Sequence, residues 1–537
     1  MQQSKNPKTI RGHLKSMNRE EKAAVILVGT ALILGIFIRL IYIFQEDFPL
    51  NDGGLFYAMI RDLQANRFLI PAVTQYNLSN LPFAYPPLAF YLTGFLNSAF
   101  DFDLFSLMRW LPFIFNILTI LVFYHFARQL LKDPIRAGIA TLFFALLKPG
   151  YEWLIMGGGL TRSPAMFFCL LSLDRYLMLI ESDDKRARRI ITVIVFYSLT
   201  FLFHMEIGWY TTYSLALLWF FKGRTKQNFI SSVIIVCGVF FATSPYWVQV
   251  LYNNSYRPFL NGIFSGGYIP FLSAFGLYYF NFTEEMAFPV LGALALVGLI
   301  ISMYKKDYLF VVWLVLNTIL NARSVNRNDV IPAAMLISVG ILDGVFLFVQ
   351  KYSLAIMTKK EVSTVTSELF KRSAILVIYI LCAYVVLNSY LAKYTDQALN
   401  YFLTRGERQA MVWIKENTPS DAQFISLPSS RWWETDSTAE WFPALTERHN
   451  AVTVQGTEWR PDYKLKIADY KELNSAIKSG RFTVETLLEK YPTVNYVYVP
   501  LSFFRDSAEL AMVRISLGAF PLIYKNRDVE IYSVRGN

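Results

Sequence analysis

The chain has 537 residues, of which 54% are hydrophobic, 16% aromatic and only 17% charged, with a formal net charge of +11. Soluble domains carry about 25% charged residues, so this balance excludes an ordinary soluble protein and points to a polytopic membrane protein. The basic residues sit in short clusters between apolar runs, a pattern that orients membrane helices and excludes a nucleic-acid-binding stripe.

Residues 1–22 are polar and basic, and residues 23–44 are apolar. That run suffices for a span of about 20 residues and lacks a small-residue cleavage signature, so it reads as an uncleaved first helix. Lys5, Lys8, Arg11, Lys15, Arg19 and Lys22 place the tail in the cytoplasm, and residues from 46 onward then emerge outside. In the stretch NDGGLFYAMIRDL (51–63), Leu55, Phe56, Met59, Ile60 and Leu63 form one apolar stripe. The spacing predicts a helix over 53–65 lying on the membrane surface with Asp52 at its start. Next comes a helix over 86–100, opened by two prolines as a helix start allows.

Later basic clusters fall at 128–136, 185–189, 222–226, 305–306 and 351–372. Taken as cytoplasmic, they set spans near 105–131, 136–150, 163–181, 190–205, 207–221, 229–248, 286–304, 308–322, 330–350 and 373–394. With the first helix this gives about eleven crossings and an external C-terminal part. Counting 86–100 as a crossing would reverse every later loop, so it is predicted to be interfacial or re-entrant. Cys169, Cys237 and Cys382 fall in apolar segments and read as small buried hydrophobes.

From about residue 393 the pattern changes. RQAMVWIKENTPSDAQFISL predicts helix, turn and strand; FTVETLLEKYP a helix; VNYVYVP a strand; and FPLIYKNRDVEIYSV a hairpin around 525–528. Residues 395–537 are enough for a small α/β domain.

On this topology the polar residues that solubility does not require fall mostly on one side. They are Asp52, Arg61, Asp62, Tyr85, Glu152, Arg162, His204, Glu206, Glu284, Glu285, Arg323, Arg327 and Asp329. Charge at membrane depth is costly and faces a cavity or a partner, so an external aqueous pocket is expected. Asp52 is either a helix cap or a general base at the pocket mouth. GGGLTRSP (157–164) reads as a flexible loop opening a helix, with N–H groups near Ser163 and the Arg162 side chain suited to a phosphate. NARSVNRND (321–329) adds Arg323 and Arg327, as phosphate ligands or as snorkelling interface residues. FHMEIGWY sets His204 and Glu206 at a tight external turn, without the further His or Cys that a metal site needs. Trp432, Trp433, Trp441 and Trp459 either pack the C-terminal part onto the membrane half or line a carbohydrate site. Sequons at Asn77, Asn253 and Asn281 all fall outside.

An acidic residue in the first external loop, followed by YPPL opening a helix, resembles the GT-C superfamily of membrane glycosyltransferases. Within it the chain is similar to the ArnT and protein O-mannosyltransferase group, glycosyltransferase family 39. The likeness covers the layout of the membrane half and rests on NDGGLFYAMIRDL, FAYPPLAFYL and GGGLTRS. That group usually carries an Asp-Glu pair in the first loop. Here the pair is Asn51-Asp52, so Asp52 alone inherits the acidic role. The lysine that often precedes the paired prolines is Tyr85, which leaves phosphate binding to arginines elsewhere. WWETD is similar to the Trp-Trp-Asp motif of oligosaccharyltransferases, but Glu434 replaces the Asp and the following Tyr-Gly is missing, so that function is not transferred.

The resemblance implies a polytopic α-helical, GT-C-like transmembrane domain over 23–394, with the external loop 46–104, and an extracytoplasmic α/β domain over 395–537, all in the plasma membrane. It implies transfer of a sugar from a polyprenyl-phosphate donor to a lipid, glycan or protein acceptor. Asp52 would be the base of an inverting displacement. Arg162, Arg323 and Arg327 would hold the donor phosphate, and Tyr85, Asp62, His204 and Glu206 would line the groove. The phosphate ester is a ready leaving group that needs cationic stabilisation, while the acceptor hydroxyl needs one carboxylate. No metal ligands are assigned and a divalent metal stays open; no nucleic acid is expected. Two rival classes are a lipid or glycolipid transporter or flippase, and a non-catalytic membrane scaffold. Transporters commonly show internal repeats, and none stands out in this sequence.

Overall fold

A computed structural model of the chain describes residues 17–265, 283–286, 288–348, 350, 365–392, 394, 398–504 and 507–535. Lys5, Lys8, Arg11, Lys15, the sequon at Asn281 and residues 351–364 of the last basic cluster lie outside the described residues.

Helix α1 (Arg19–Ile43) opens on a reciprocal capping box, the Glu21 N–H donating to Asn18 Oδ1 at 2.8 Å and the Asn18 N–H to Glu21 Oε2 at 3.2 Å. It is followed by α2 (Gly54–Ala65), α3 (Leu88–Phe100), α4 (Leu104–Leu131), α5 (Pro134–Leu146), α6 (Gly159–Glu181), α7 (Arg186–Phe203) and α8 (Met205–Lys222). Then come α9 (Lys226–Asn254), α10 (Arg257–Ser265), α11 (Val290–Tyr304), α12 (Leu309–Leu320), α13 (Val325–Val339) and α14 (Val365–Ala392). Past its end α13 runs on as a π-helix, Gly340–Phe346. Each predicted span coincides with a helix. Among the described residues, six helical stretches are long and apolar enough to cross a membrane: Arg19–Ile43, Leu104–Leu131, Gly159–Glu181, Lys226–Asn254, Val325–Phe346 and Ile375–Ala392. The chain is a multi-pass membrane protein. With 13 residues, α3 is about 20 Å long, too short to cross a hydrocarbon core of about 30 Å alone. Helix α5 is equally short and is extended by the turns Lys148–Gly150 and Glu152–Leu154.

The apolar stripe of α2 does not lie on a membrane surface. Leu55, Phe56, Met59, Ile60 and Leu63 are all buried, because the helix is clamped between α3 and a helix of the C-terminal part. Deeper in the bundle Arg39, fully buried in α1, donates to Asn116 Oδ1 at 2.5 Å and to the carbonyls of Gly35 and Ala145, both at 2.9 Å. Its guanidinium also covers the Tyr151 ring at 4.9 Å, so one buried cation bolts α1 to α4, α5 and the turn after α5.

Residues 405–533 carry helices α15 (Arg405–Asn417), α16 (Ser437–Thr446), α17 (Tyr463–Lys478), α18 (Val484–Lys490) and α19 (Ser507–Leu517). The first loop holds the short pair β1 (Val73–Thr74) and β2 (Leu81–Pro82). The C-terminal sheet is built from β3 (Gln423–Ser426), β4 (His449–Asn450), β5 (Tyr496–Pro500), β6 (Leu522–Lys525) and β7 (Val529–Ser533), in the order β4-β3-β5-β7-β6. β3 runs parallel to β4 and β5, whereas β6 and β7 form the predicted antiparallel hairpin. Alternation along the strands splits the core in two. Phe424, Tyr496 and Tyr498 join the core of the helical half, while Ile425, Val497 and Val499 form a separate cluster on the other face. One face of the sheet is thus continuous with the bundle.

Candidate active site

The segment Asn51–Asp52–Gly53 is pinned by the C-terminal part. Trp441 Nε1 donates to the Asn51 carbonyl at 2.9 Å, the Gly53 N–H donates to Glu440 Oε1 at 2.7 Å, and Asn51 Nδ2 reaches the Glu434 carbonyl at 3.3 Å. Gly53 turns the chain at φ +128°, a conformation that side-chain-bearing residues avoid. It is the cap residue of α2 but has no side chain to cap with, and Asp52 does not cap α2 either. Both Asp52 oxygens point to α6 instead. Oδ1 accepts the Gly158 N–H at 2.7 Å, and Oδ2 accepts from Arg162 Nη1 at 3.0 Å.

The glycine run allows this approach. A Cβ on Gly157 would stand 1.8 Å from the Asp52 carbonyl oxygen, and one on Gly158 would stand 2.2 Å from Asp52 Oδ2. GGG is therefore a close-packing surface rather than a flexible phosphate loop. The anion at the α6 N-terminus is Asp52 itself, and the buried Ser163 hydroxyl donates to the Leu154 carbonyl at 2.6 Å. Arg162 also donates to the Trp153 carbonyl at 3.3 Å and lies over that ring at 5.6 Å.

Beside this pair lies a second group. Tyr85, half-buried, comes within 3.4 Å of Thr161 Oγ1 and sets its ring against His204 at 5.9 Å and Trp459 at 6.0 Å. Burial pushes its phenol pKa up, and the nearby Arg162 charge opposes that shift. His204 caps α8, its Nδ1 accepting the Ile207 N–H at 3.4 Å. Arg327 Nη2 and Glu206 Oε1 lie 3.3 Å apart without a hydrogen bond. Together with Arg327 Nε and Glu458 Oε2 they are buried polar atoms that lack a hydrogen-bond partner among the described residues. Such atoms ordinarily mark a water or ligand position. Arg323 is exposed, and its charge is felt by Glu206, Glu458 and Arg162.

The other polar residues named from the sequence are drawn off elsewhere. Asp62 accepts from Thr74 Oγ1 at 2.5 Å and from the Gln75 N–H at 3.0 Å, so it braces the first loop and does not line the groove. Arg61 is exposed. Glu152 and Glu284 both pair with Lys148, at 3.0 and 3.4 Å. Glu285 accepts the N–H groups of Leu291 and Gly292, each at 3.0 Å, and so caps α11, while Asp329 accepts from Asn317 Nδ2 at 2.7 Å. The Asn77 sequon is buried, exchanging bonds with the Asn450 backbone at 3.1 and 2.7 Å, so its amide is not available for modification. Among the described residues no group of three or more His, Cys, Asp or Glu side chains is placed to hold a metal ion.

Two acids at this site were not singled out from the sequence, Glu440 and Glu458. Each precedes a tryptophan that was, in EW at 440–441 and 458–459. An acid embedded in an aromatic run was the available signal. Burial raises the pKa of Glu440 well above the usual carboxylate range, and the Asp52 charge pushes the same way.

No family model matches the chain, and no curated protein sequence matches it. Solved structures do. An archaeal oligosaccharyltransferase, AglB from Archaeoglobus fulgidus in complex with an inhibitory peptide and a dolichol-phosphate, superposes with a TM-score of 0.59 at 14% identity, covering 95% of this chain and 74% of that one. ArnT from Cupriavidus metallidurans in the apo state gives a TM-score of 0.53 at 13% identity, covering 95% and 97%. The arabinofuranosyltransferase AftD from Mycobacteria gives 0.54 at 12% identity, covering 98% of this chain but 40% of its own. At these identities the likeness shows that this chain shares the fold of those three proteins and nothing finer.

Proposed function

We propose that the protein is a membrane glycosyltransferase that takes a sugar from a polyprenyl-phosphate donor on the extracytoplasmic face and passes it to an acceptor hydroxyl. The observation that carries this reading is the meeting of one carboxylate, Asp52, with Arg162, and of Arg327 with Glu206, with the Arg323 charge acting on Glu206, at the same ends of their helices. In the reaction the acceptor oxygen attacks the anomeric carbon from the side opposite the phosphate. The carbon–oxygen bond to phosphate breaks, the lipid phosphate leaves with the electron pair, and the acceptor proton passes to Asp52. A single displacement of this kind inverts the anomeric centre. Arg162 holds Asp52 in place, and turns its remaining N–H groups to the donor phosphate. Arg327 and Arg323 stabilise the charge that develops on that phosphate. Tyr85, His204 and Glu206 line the donor groove.

On this reading the helices make about eleven crossings, with the N-terminus cytoplasmic and residues 395–537 outside. The acceptor is a lipid, a glycan or a protein. Purified protein incubated with a radiolabelled polyprenyl-phosphate sugar and a membrane extract tests it: a labelled product that needs Asp52 is expected. Flux of the labelled lipid across liposomes with no covalent product would identify a transporter instead. Reporter tags after residue 393 that report from the cytosol would overturn the orientation.

A further inference from the structure

At the other ends of α8 and α13 lies a cavity. Its volume is about 210 Å³, and its walls combine the apolar Leu131, Phe310 and Val339 with a rim of Arg136, Lys222, Lys305, Asp307 and Asp343. Asp343 sits in the π-helix Gly340–Phe346, a local widening of the helix frequently found at functional sites. Two cations share its carboxylate. Arg136 grips both oxygens, Nη1 to Oδ2 at 2.9 Å and Nη2 to Oδ1 at 2.5 Å, and Lys305 Nζ reaches Oδ2 at 2.7 Å. Lys222 is exposed, ends α8, and has no carboxylate within ion-pair distance among the described residues. Asp307 is turned to the backbone, accepting the Leu309 N–H at 3.4 Å. The rim therefore carries a net positive charge above an apolar floor, the complement of a molecule with an anionic head and a greasy body.

We propose that this cavity binds the phosphate head group of an anionic phospholipid from the leaflet opposite the Asp52 site. Lys222 and Lys305 would contact the phosphate, Arg136 and Asp343 would hold the rim in shape, and the first acyl carbons would lie along Leu131, Phe310 and Val339. The geometry also ties the cavity to the far site. Helix α8 runs from Glu206 to Lys222, and α13 with its π extension runs from Arg327 to Asp343, about 24 Å in each case. The two helices that carry the Glu206–Arg327 pair at one end thus frame the lipid site at the other. The binding depends neither on the orientation proposed above nor on the transferase reading.

The full chain, purified in detergent, is titrated with short-chain phosphatidylglycerol, phosphatidylcholine and inorganic phosphate, and bound ligand is read by native mass spectrometry. Phosphatidylglycerol is expected to bind at least tenfold more tightly than either of the others. Each basic side chain near an anionic lipid contributes a factor of about five. Lys222→Ala should therefore weaken phosphatidylglycerol about fivefold and Lys222→Glu by more than tenfold, with Lys222→Arg restoring affinity. The exposed position of Lys222 makes misfolding of these variants an unsuitable explanation. Equal affinity for the two lipids, or unchanged phosphatidylglycerol affinity in Lys222→Glu, would overturn the proposal. Inorganic phosphate binding as tightly as the lipid would overturn it too, since the site would then serve a soluble anion. Because the readout is binding, none of these outcomes depends on sugar transfer.

Discussion

Arg162 Nη1 stands 3.0 Å from Asp52 Oδ2 while the Gly158 N–H donates to Asp52 Oδ1 at 2.7 Å, so α6 addresses both oxygens of one carboxylate. A carboxylate held this way cannot rotate out of line. Asp52→Asn keeps an acceptor for Gly158 but removes the carboxylate proposed as the base. Transfer from a radiolabelled donor is expected to fall by a factor of about 10² to 10⁴, the usual worth of a positioned general base. The same change strands the Arg162 cation, so thermal stability should fall as well. Asp52→Asn combined with Arg162→Met should recover stability without recovering turnover. Wild-type turnover in Asp52→Asn would remove the residue from the mechanism.

Gly158→Ala tests the same contact from the other side. The added methyl would meet Asp52 Oδ2 at 2.2 Å and the Arg162 Nη1 atom at 2.8 Å, so the carboxylate must shift away. Turnover should drop nearly as far as in Asp52→Asn, although no ionisable group has changed. Gly29→Ala, mid-helix in α1 where a methyl meets nothing within 4 Å, serves as the control and should leave turnover alone without lowering the melting temperature.

The Glu206–Arg327 contact makes a different prediction. Removing one partner of a buried ion pair leaves the other charge uncompensated, at a cost of roughly 3–5 kcal/mol. Glu206→Gln should therefore lower the melting temperature and, by freeing Arg327, tighten binding of the bare lipid phosphate. Arg327→Met should weaken that binding and raise KM for the donor with a smaller effect on kcat. Calorimetric titration with a short-chain polyprenyl phosphate distinguishes them. If both variants bind it like wild type, Arg327 does not contact the phosphate.

Hydropathy and basic clusters located the helices well, since span length and charge asymmetry are one-dimensional properties of the chain. The helix over 53–65 was legible for the same reason, but the partner of its apolar stripe was not. Buried by α3 and α16, that stripe looks in sequence like one meant for a lipid surface. Asp52 was legible as an acid at a helix start. That the helix it serves is α6, more than 100 positions later, depends on tertiary approach through three glycines. Glu440 and Glu458 were hidden among aromatic residues that suggested packing first. Asp62 was drawn into the groove by its neighbour in sequence, although Thr74 and Gln75 claim its carboxylate.

Glu407 gives a pH prediction that is independent of any substrate. It is buried at the third position of α15, where Oε2 accepts the Thr404 N–H at 3.0 Å and Oε1 accepts the Thr438 hydroxyl at 2.6 Å. Burial outweighs these bonds and pushes its carboxyl up to about 7. An unfolded chain releases the same proton near 4.3, so between those values the folded protein binds more protons than the unfolded one. The contribution of Glu407 is therefore most favourable below the unfolded value, declines as pH rises, and has cost about 3 kcal/mol once pH passes 7. Glu407→Gln keeps one acceptor oxygen, for the Thr404 N–H, while its NH2 can donate to the Thr438 hydroxyl, and it cannot ionise. Thermal melts from pH 5 to pH 8 should show the wild type losing stability toward pH 8 more steeply than the variant, with Glu407→Gln the more stable of the two at pH 8. Parallel pH curves would mean that the carboxyl is already ionised in the folded protein at pH 5, in which case Thr404 and Thr438 stabilise its anion more than its burial penalises it.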